Sequence, residues 1–480
     1  MGGTLVFVSA LVLAVGAAAC APDDPDRPQT ETSAVIANRN LDVLFMIDDS
    51  SSMRLQQDNL NRNFGMFMDV LKALPGGLPN IHVAVISQDM GAGDGSVASC
   101  DSTGGKNGIF QYTPRGTCAA SPLMPNATYL SSSGGVVNFT GDISAAFSCI
   151  AALGESGCGF EHQFAAILRA LGADGKPVPA ENQGFLRRDA LLAIVMITNE
   201  DDCSARPEIM LYDTGSNTNL NSVLGPPSNF RCNEFGHVCN GAKPPRLAPG
   251  GDVAAVVPLQ NCTSSECDGS LTSVAEFVGR IKALKAAPGS EILMAAFAGP
   301  PTPYQVQWKQ PSTSDTGPWP LVAHSCTAVD TSFADPGVRI SQAVGAFGTN
   351  GLAFSICDTN FGPGLQQIAT RIGSLLSAGG GGPAAGTVPT CATGLGGSGA
   401  GGATGAGGGN GGSASGGATG SGATTGADGS VDGRGRSMGG GCQVGGASVS
   451  AAGVAFALTA LLAALRRRRA RRGAALSRLA

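Results

Sequence analysis

Seven of the eight residues from Leu191 to Thr198, LLAIVMIT, are apolar. A strand that apolar has to be covered on both faces, which is the situation of parallel strands in a sheet with helices on either side. Asp42 to Ile47 (DVLFMI) and Ile81 to Ser87 (IHVAVIS) read the same way, and Ile292 to Phe297 and Leu352 to Ile356 add two shorter runs. Between them the period changes. Met53 to Leu74 sets Leu60, Phe64, Phe67, Val70, Leu71 and Leu74 on one side of a helix. Further helices are expected over 142–153, 164–171, 271–286 and 365–376. The alternation predicts an α/β fold, a doubly wound, mostly parallel sheet flanked by helices. Long Cys-, Gly- and Pro-rich insertions near 90–135, 203–268 and 300–335 interrupt it. Loops of that length need stapling in a compact domain.

The cysteines can supply the staples. Of 14, Cys20 and Cys442 lie towards the ends, and the other twelve fall in or beside the insertions. An even number placed in loops reads as disulfides formed in an oxidising compartment. Zinc is the competing use, but no CxxC pair occurs and only four histidines are present. The expected pairs include Cys149 with Cys158 and Cys326 with Cys357.

Both ends look like export and anchoring segments. Residues 5–19 are apolar and short, and small residues lead into Cys20, as in a secretory signal. AAAC resembles a bacterial lipobox with Cys20 as the lipidated residue; ordinary cleavage after Ala19 is the alternative. Residues 1–20 are thus read as signal peptide and 21–40 as a linker. Residues 379–441 carry much of the chain's 72 glycines and too few apolar side chains to fold, so they read as a tether. Val444 to Leu465 is long enough to span a membrane and is followed at once by RRRRARR, which places the preceding chain outside. Residues 442–480 resemble the MYXO-CTERM sorting tail of myxobacterial surface proteins, which implies processing beside Cys442 and display at the cell surface. A plain single-pass anchor gives the same orientation. The membrane is therefore an expected partner, through lipid, a C-terminal helix or both.

The chemistry lies at a strand end, where open α/β sheets bind ligands. Asp48, Ser50 and Ser52 form D-x-S-x-S in the turn after the first strand. A carboxylate and two hydroxyls so spaced can converge on one hard cation that keeps some waters, Mg²⁺ first, with Mn²⁺ or Ca²⁺ as alternatives. Ser50 or Ser52 can also cap the helix that follows. LDVLFMIDDSSSM resembles the opening of a von Willebrand factor type A domain and its metal-ion-dependent adhesion site, and the match in strand order covers roughly 41–376. The expected domain is 41–378. The resemblance implies two further ligand positions. Glu161 stands where the family has a Thr, and Asn199 where it has an Asp, with Asp201 close enough to reach in. It also implies a protein or matrix ligand whose carboxylate completes the metal shell.

Other classes are disfavoured. Thirty basic residues stand against 35 acidic ones, but seven of the arginines follow Leu465 and no acidic residue does. The remainder is acidic, a poor surface for nucleic acid. No HExxH, G-x-S-x-G or phosphate-binding loop occurs, and His82, His162, His237 and His324 are isolated. The chain is therefore expected to be non-catalytic: a metal-dependent adhesion or protein-binding module at the cell surface, or an envelope protein keeping the fold without a working metal site.

Overall fold

The structure is a computed structural model that describes residues 39–377, 386 and 388–391, apart from 93–96, 98–99, 101–103, 117, 119, 207–208, 213–218 and 311–316. The expected signal and sorting tail, with Cys20 and Cys442, lie outside the described residues, as do the expected linker before 39 and the expected tether apart from 386 and 388–391.

The elements run β1 (Asn40–Ile47), α1 (Arg54–Lys72), β2 (Asn80–Ser87), β3 (Leu130–Ser133), β4 (Val136–Val137), α2 (Ile143–Ala151), α3 (Gln163–Ala170), β5 (Leu191–Ile197), α4 (Phe230–Gly236), β6 (His237–Cys239), β7 (Val256–Leu259) and β8 (Cys262–Ser264). There follow α5 (Val274–Lys282), α6 (Pro288–Glu291), β9 (Ile292–Ala298), β10 (Tyr304–Lys309), β11 (Trp319–Val322), β12 (Cys326–Thr327), β13 (Phe333–Ala334), α7 (Val338–Gly345), β14 (Gly351–Ser355) and α8 (Gly362–Ser377).

The central sheet has the order β14-β9-β5-β1-β2-β3-β4. Its first five strands are mutually parallel, and β3 and β4 add an antiparallel edge. Residue alternation along each buried strand divides the core in two. Leu41, Val43, Phe45 and Ile47 of β1 face the cluster built with α1, α2 and α8, whereas Leu44 and Met46 face the one built with α3, α5 and α7. The helices lock in with stacked rings, Phe64 on Phe147 at 3.7 Å and Phe164 on Phe277 at 4.1 Å between centroids.

The insertions carry elements that the sequence pattern did not reveal. β3 and β4 extend the central sheet, and β11-β10-β7 forms a separate antiparallel sheet over a small core containing Tyr304, Val306 and Trp308. All twelve cysteines between Cys100 and Cys391 are paired: Cys100–Cys158, Cys118–Cys149, Cys203–Cys232, Cys239–Cys262, Cys267–Cys391 and Cys326–Cys357. The expected Cys149–Cys158 bond is therefore corrected. Gly157 lies so close to the end of β1, its N–H donating to the Asp49 carbonyl at 2.7 Å, that Cys158 is carried away from α2 towards Cys100. Cys391 ties the chain back to Cys267 beyond the expected domain end at 378, and Val388 packs on the α3/α5/α7 core. Among the described residues no helix is long and apolar enough to cross a membrane.

Candidate metal centre

Strand register builds the site. Ile47 of β1 lies opposite Ile197 of β5 and Ser87 of β2, so Asp48, Thr198 and Gln88 emerge together at the carboxyl edge. Asp48 is fully buried and held from several directions. Its Oδ1 accepts from the Ser50 N–H at 2.8 Å and from Gln88 Nε2 at 3.2 Å, and its Oδ2 accepts from the Thr198 hydroxyl at 2.8 Å. Burial pushes its carboxyl above the ordinary range, and these hydrogen bonds pull the other way.

The serines do not cap α1. Met53 occupies the N-cap position, and no side chain makes a capping bond there. Instead the Ser52 hydroxyl accepts from Asn199 Nδ2 at 2.9 Å, and Ser50 Oγ is buried without a partner. Asn199 Nδ2 also donates to the Phe333 carbonyl at 3.2 Å, which fixes the amide orientation and leaves its buried Oδ1 unpartnered. Glu161, 1% exposed in the loop before α3, has its Oε1 unpartnered as well.

Gln88 and Gln163 repeat the pattern. Their amide nitrogens are engaged, by Asp48 and the Cys158 carbonyl in one case and by Thr198 and the Glu200 carbonyl in the other. Both of their oxygens are buried without partners. Buried polar atoms are nearly always satisfied. The oxygens left unsatisfied belong to residues at the carboxyl ends of β1, β2 and β5 (Ser50, Gln88 and Asn199) and at the start of α3 (Glu161 and Gln163). Hard cations are held by oxygens of this kind, and Asp48, Ser50, Ser52, Glu161 and Asn199 are the residues that could supply them. Among the described residues no three His, Cys, Asp or Glu side chains are grouped to hold a metal ion. The candidate set is mixed instead: two carboxylates, two hydroxyls and an amide.

Asp201 is not brought to this set. Its carboxylate accepts from His237 Nε2 at 2.7 Å and from the backbone N–H groups of Arg339 at 2.8 Å and Ile340 at 3.1 Å, tying down the start of α7. Glu200 comes to the site in its place. Its carboxyl and that of Glu161 are close enough for the state of one to act on the other. Burial, then the charges of Glu200 and Asp48, push Glu161 well above the usual carboxylate range; burial, then the charges of Asp335 and Asp48, push Glu200 up to about 8. His162, beside Glu161, is pushed down to about 3 by burial and is therefore neutral.

Glu200 was hidden in the run Asn199-Glu200-Asp201-Asp202, where nothing local tells which carboxylate faces the strand end. Asp202, next along, is claimed by Arg339 Nη2 at 3.0 Å and the Ser204 hydroxyl at 2.6 Å.

No family model matches the chain, and no curated protein matches it. Among solved structures, the pilus adhesin SpaC from Lactobacillus rhamnosus GG, in its open conformation, aligns over 70% of this chain with 9% sequence identity and a TM-score of 0.28. This chain spans 30% of that adhesin's length, and a likeness of that size carries no argument about activity.

Proposed function

We propose that the chain is a non-catalytic, divalent-cation-dependent protein-binding module displayed outside the cell, with the resemblance to a von Willebrand factor type A domain as its framework. The observation that carries this reading is that buried Asp48 shares the carboxyl edge of the sheet with residues whose buried oxygens have no hydrogen-bond partner, Ser50, Gln88 and Asn199 among them. Asp48, Ser50 and Ser52 would hold the ion, Glu161 and Asn199 would complete the protein's share, and a carboxylate from a partner would fill a remaining position. The bound ion supplies a fixed positive charge that an acidic partner group can meet. Mg²⁺ is the favoured ion, since hard oxygen donors with few charges suit it.

The six disulfides fit maturation in an oxidising, extracytoplasmic compartment. The test is adhesion of beads coated with residues 35–396 to extracellular matrix and to neighbouring cells, in Mg²⁺ and in EDTA. Wild-type beads should adhere only with the cation, and Asp48→Ala beads in neither condition. Equal retention of both proteins in EDTA would favour the second reading, an envelope protein that keeps the fold without a working metal site.

A further inference from the structure

Glu161 is the one proposed ligand not delivered by the end of a central strand. It sits in the loop between α2 and α3, and a disulfide flanks it on either side. Cys158, three residues earlier and fully buried, is bonded to Cys100. Its carbonyl accepts from the Gln88 amide that also reaches Asp48. Cys203, bonded to Cys232, donates its backbone N–H to the Glu161 carbonyl at 2.7 Å. The four sulfurs share a separate apolar cluster with Phe160, Leu211, Leu224 and Leu271. Neither of the two clusters that pack the central sheet includes any of these residues.

The loop is pressed against the turn that follows β1. A Cβ on Gly157 would stand 2.3 Å from Asp49 Oδ1, so only glycine lets the chain pass there.

We infer that the disulfides Cys100–Cys158 and Cys203–Cys232 are positioning elements for Glu161 and set the affinity of the cation site. This rests on the metal-binding reading above. None of the four cysteines belongs to a cluster that packs the central sheet, and both bonds bear on the loop that carries Glu161. Groups that orient a metal ligand typically govern affinity by about ten- to a hundredfold. Cys118–Cys149 provides the internal control, because it joins the same insertion to α2 outside that cluster.

The experiment measures Mg²⁺ affinity by calorimetry, and melting in EDTA, for the oxidised full chain and three paired variants. Cys100→Ala/Cys158→Ala and Cys203→Ala/Cys232→Ala should each bind about tenfold more weakly or worse. Cys118→Ala/Cys149→Ala should bind as wild type, even where its melting temperature falls as far. Equal affinity in all four folded proteins, or an equal loss in the control, overturns the inference. A wild type that binds no cation overturns the metal reading and this inference with it.

Should a variant not fold, the wild type carries the reciprocal test. A dithiol gives two electrons and two protons to each disulfide and leaves as its own cyclic disulfide. By linkage, saturating Mg²⁺ should make Cys100–Cys158 and Cys203–Cys232 about tenfold harder to reduce at equilibrium, with no change at Cys118–Cys149. Uniform protection of all three bonds, or none, would sink it.

Discussion

Asp48 and Glu200 face the same problem in different ways. Asp48 is buried but well supplied with donors, whereas Glu200 meets another carboxyl and keeps one donor, Asn229 Nδ2 at 2.6 Å. Without a cation, Glu161 and Glu200 hold protons that their unfolded forms release near the ordinary value of 4.5. A raised folded pKa means that the native state binds more protons, so stability falls as pH rises. His162 opposes this below its unfolded value of 6.5, because its lowered folded pKa makes stability rise with pH there. Above about 6.5 the two histidines lowered by burial, His162 and His82, no longer oppose the carboxyls, and the metal-free protein should lose stability as pH rises from there to about 8. Glu200→Gln should flatten the loss, and Mg²⁺ should reverse it. Chemical denaturation in EDTA at a series of pH values reads both, and an unchanged slope in Glu200→Gln would remove the carboxyl pair as its cause. Asp48, Ser50 and Ser52 were legible in the sequence because one strand end carries all three. Glu200 was not, because its selection over Asp201 depends on His237 and on Arg339, 36 and 138 positions from Asp201.

At the scale of elements, the five parallel strands were visible as apolar runs, and α1, α3 and α8 as one-sided periodicity. The β3 strand, LSSS, has neither signal; it is a strand because its backbone pairs with Ile81 to Val83 of β2. α7 also escaped the sequence reading. Its start is anchored from outside, by Asp201 accepting from two of its first N–H groups, a favourable placement for an anion at a helix N-terminus. Asp201→Ala would strand those donors and the buried His237 partner, at a cost of about 3 kcal/mol. Because Asp201 is engaged at the start of α7 and lies outside the proposed ligand set, the folded variant should bind Mg²⁺ with wild-type affinity. Denaturant melts and a titration on the same sample check this, and a variant of normal stability with no Mg²⁺ binding would return Asp201 to the ligand set.

At the scale of the whole molecule, the insertions are tolerable because covalent bonds close them, and the last of these bonds reaches Cys391. Peptide mapping under non-reducing conditions should find the six pairs described here and no free thiol among those twelve cysteines. A Cys149–Cys158 peptide would contradict the placement of the Glu161 loop. The ends make a separate prediction. Protein recovered from the native cell surface should lack the RRRRARR segment, and an intact mass that includes it would favour a plain membrane anchor over a sorting tail. The central claim is that the partnerless oxygens at the end of β1 and β5 belong to a cation. Calorimetric titration of Mg²⁺ into residues 35–396 tests it most directly, alongside Asp48→Ala. One ion should bind the wild type and, at a hundredfold excess over its dissociation constant, add about 2.7 kcal/mol of stability. Asp48→Ala should show neither effect. A wild type that takes up no divalent ion, or an Asp48→Ala protein that binds as well, would contradict the account.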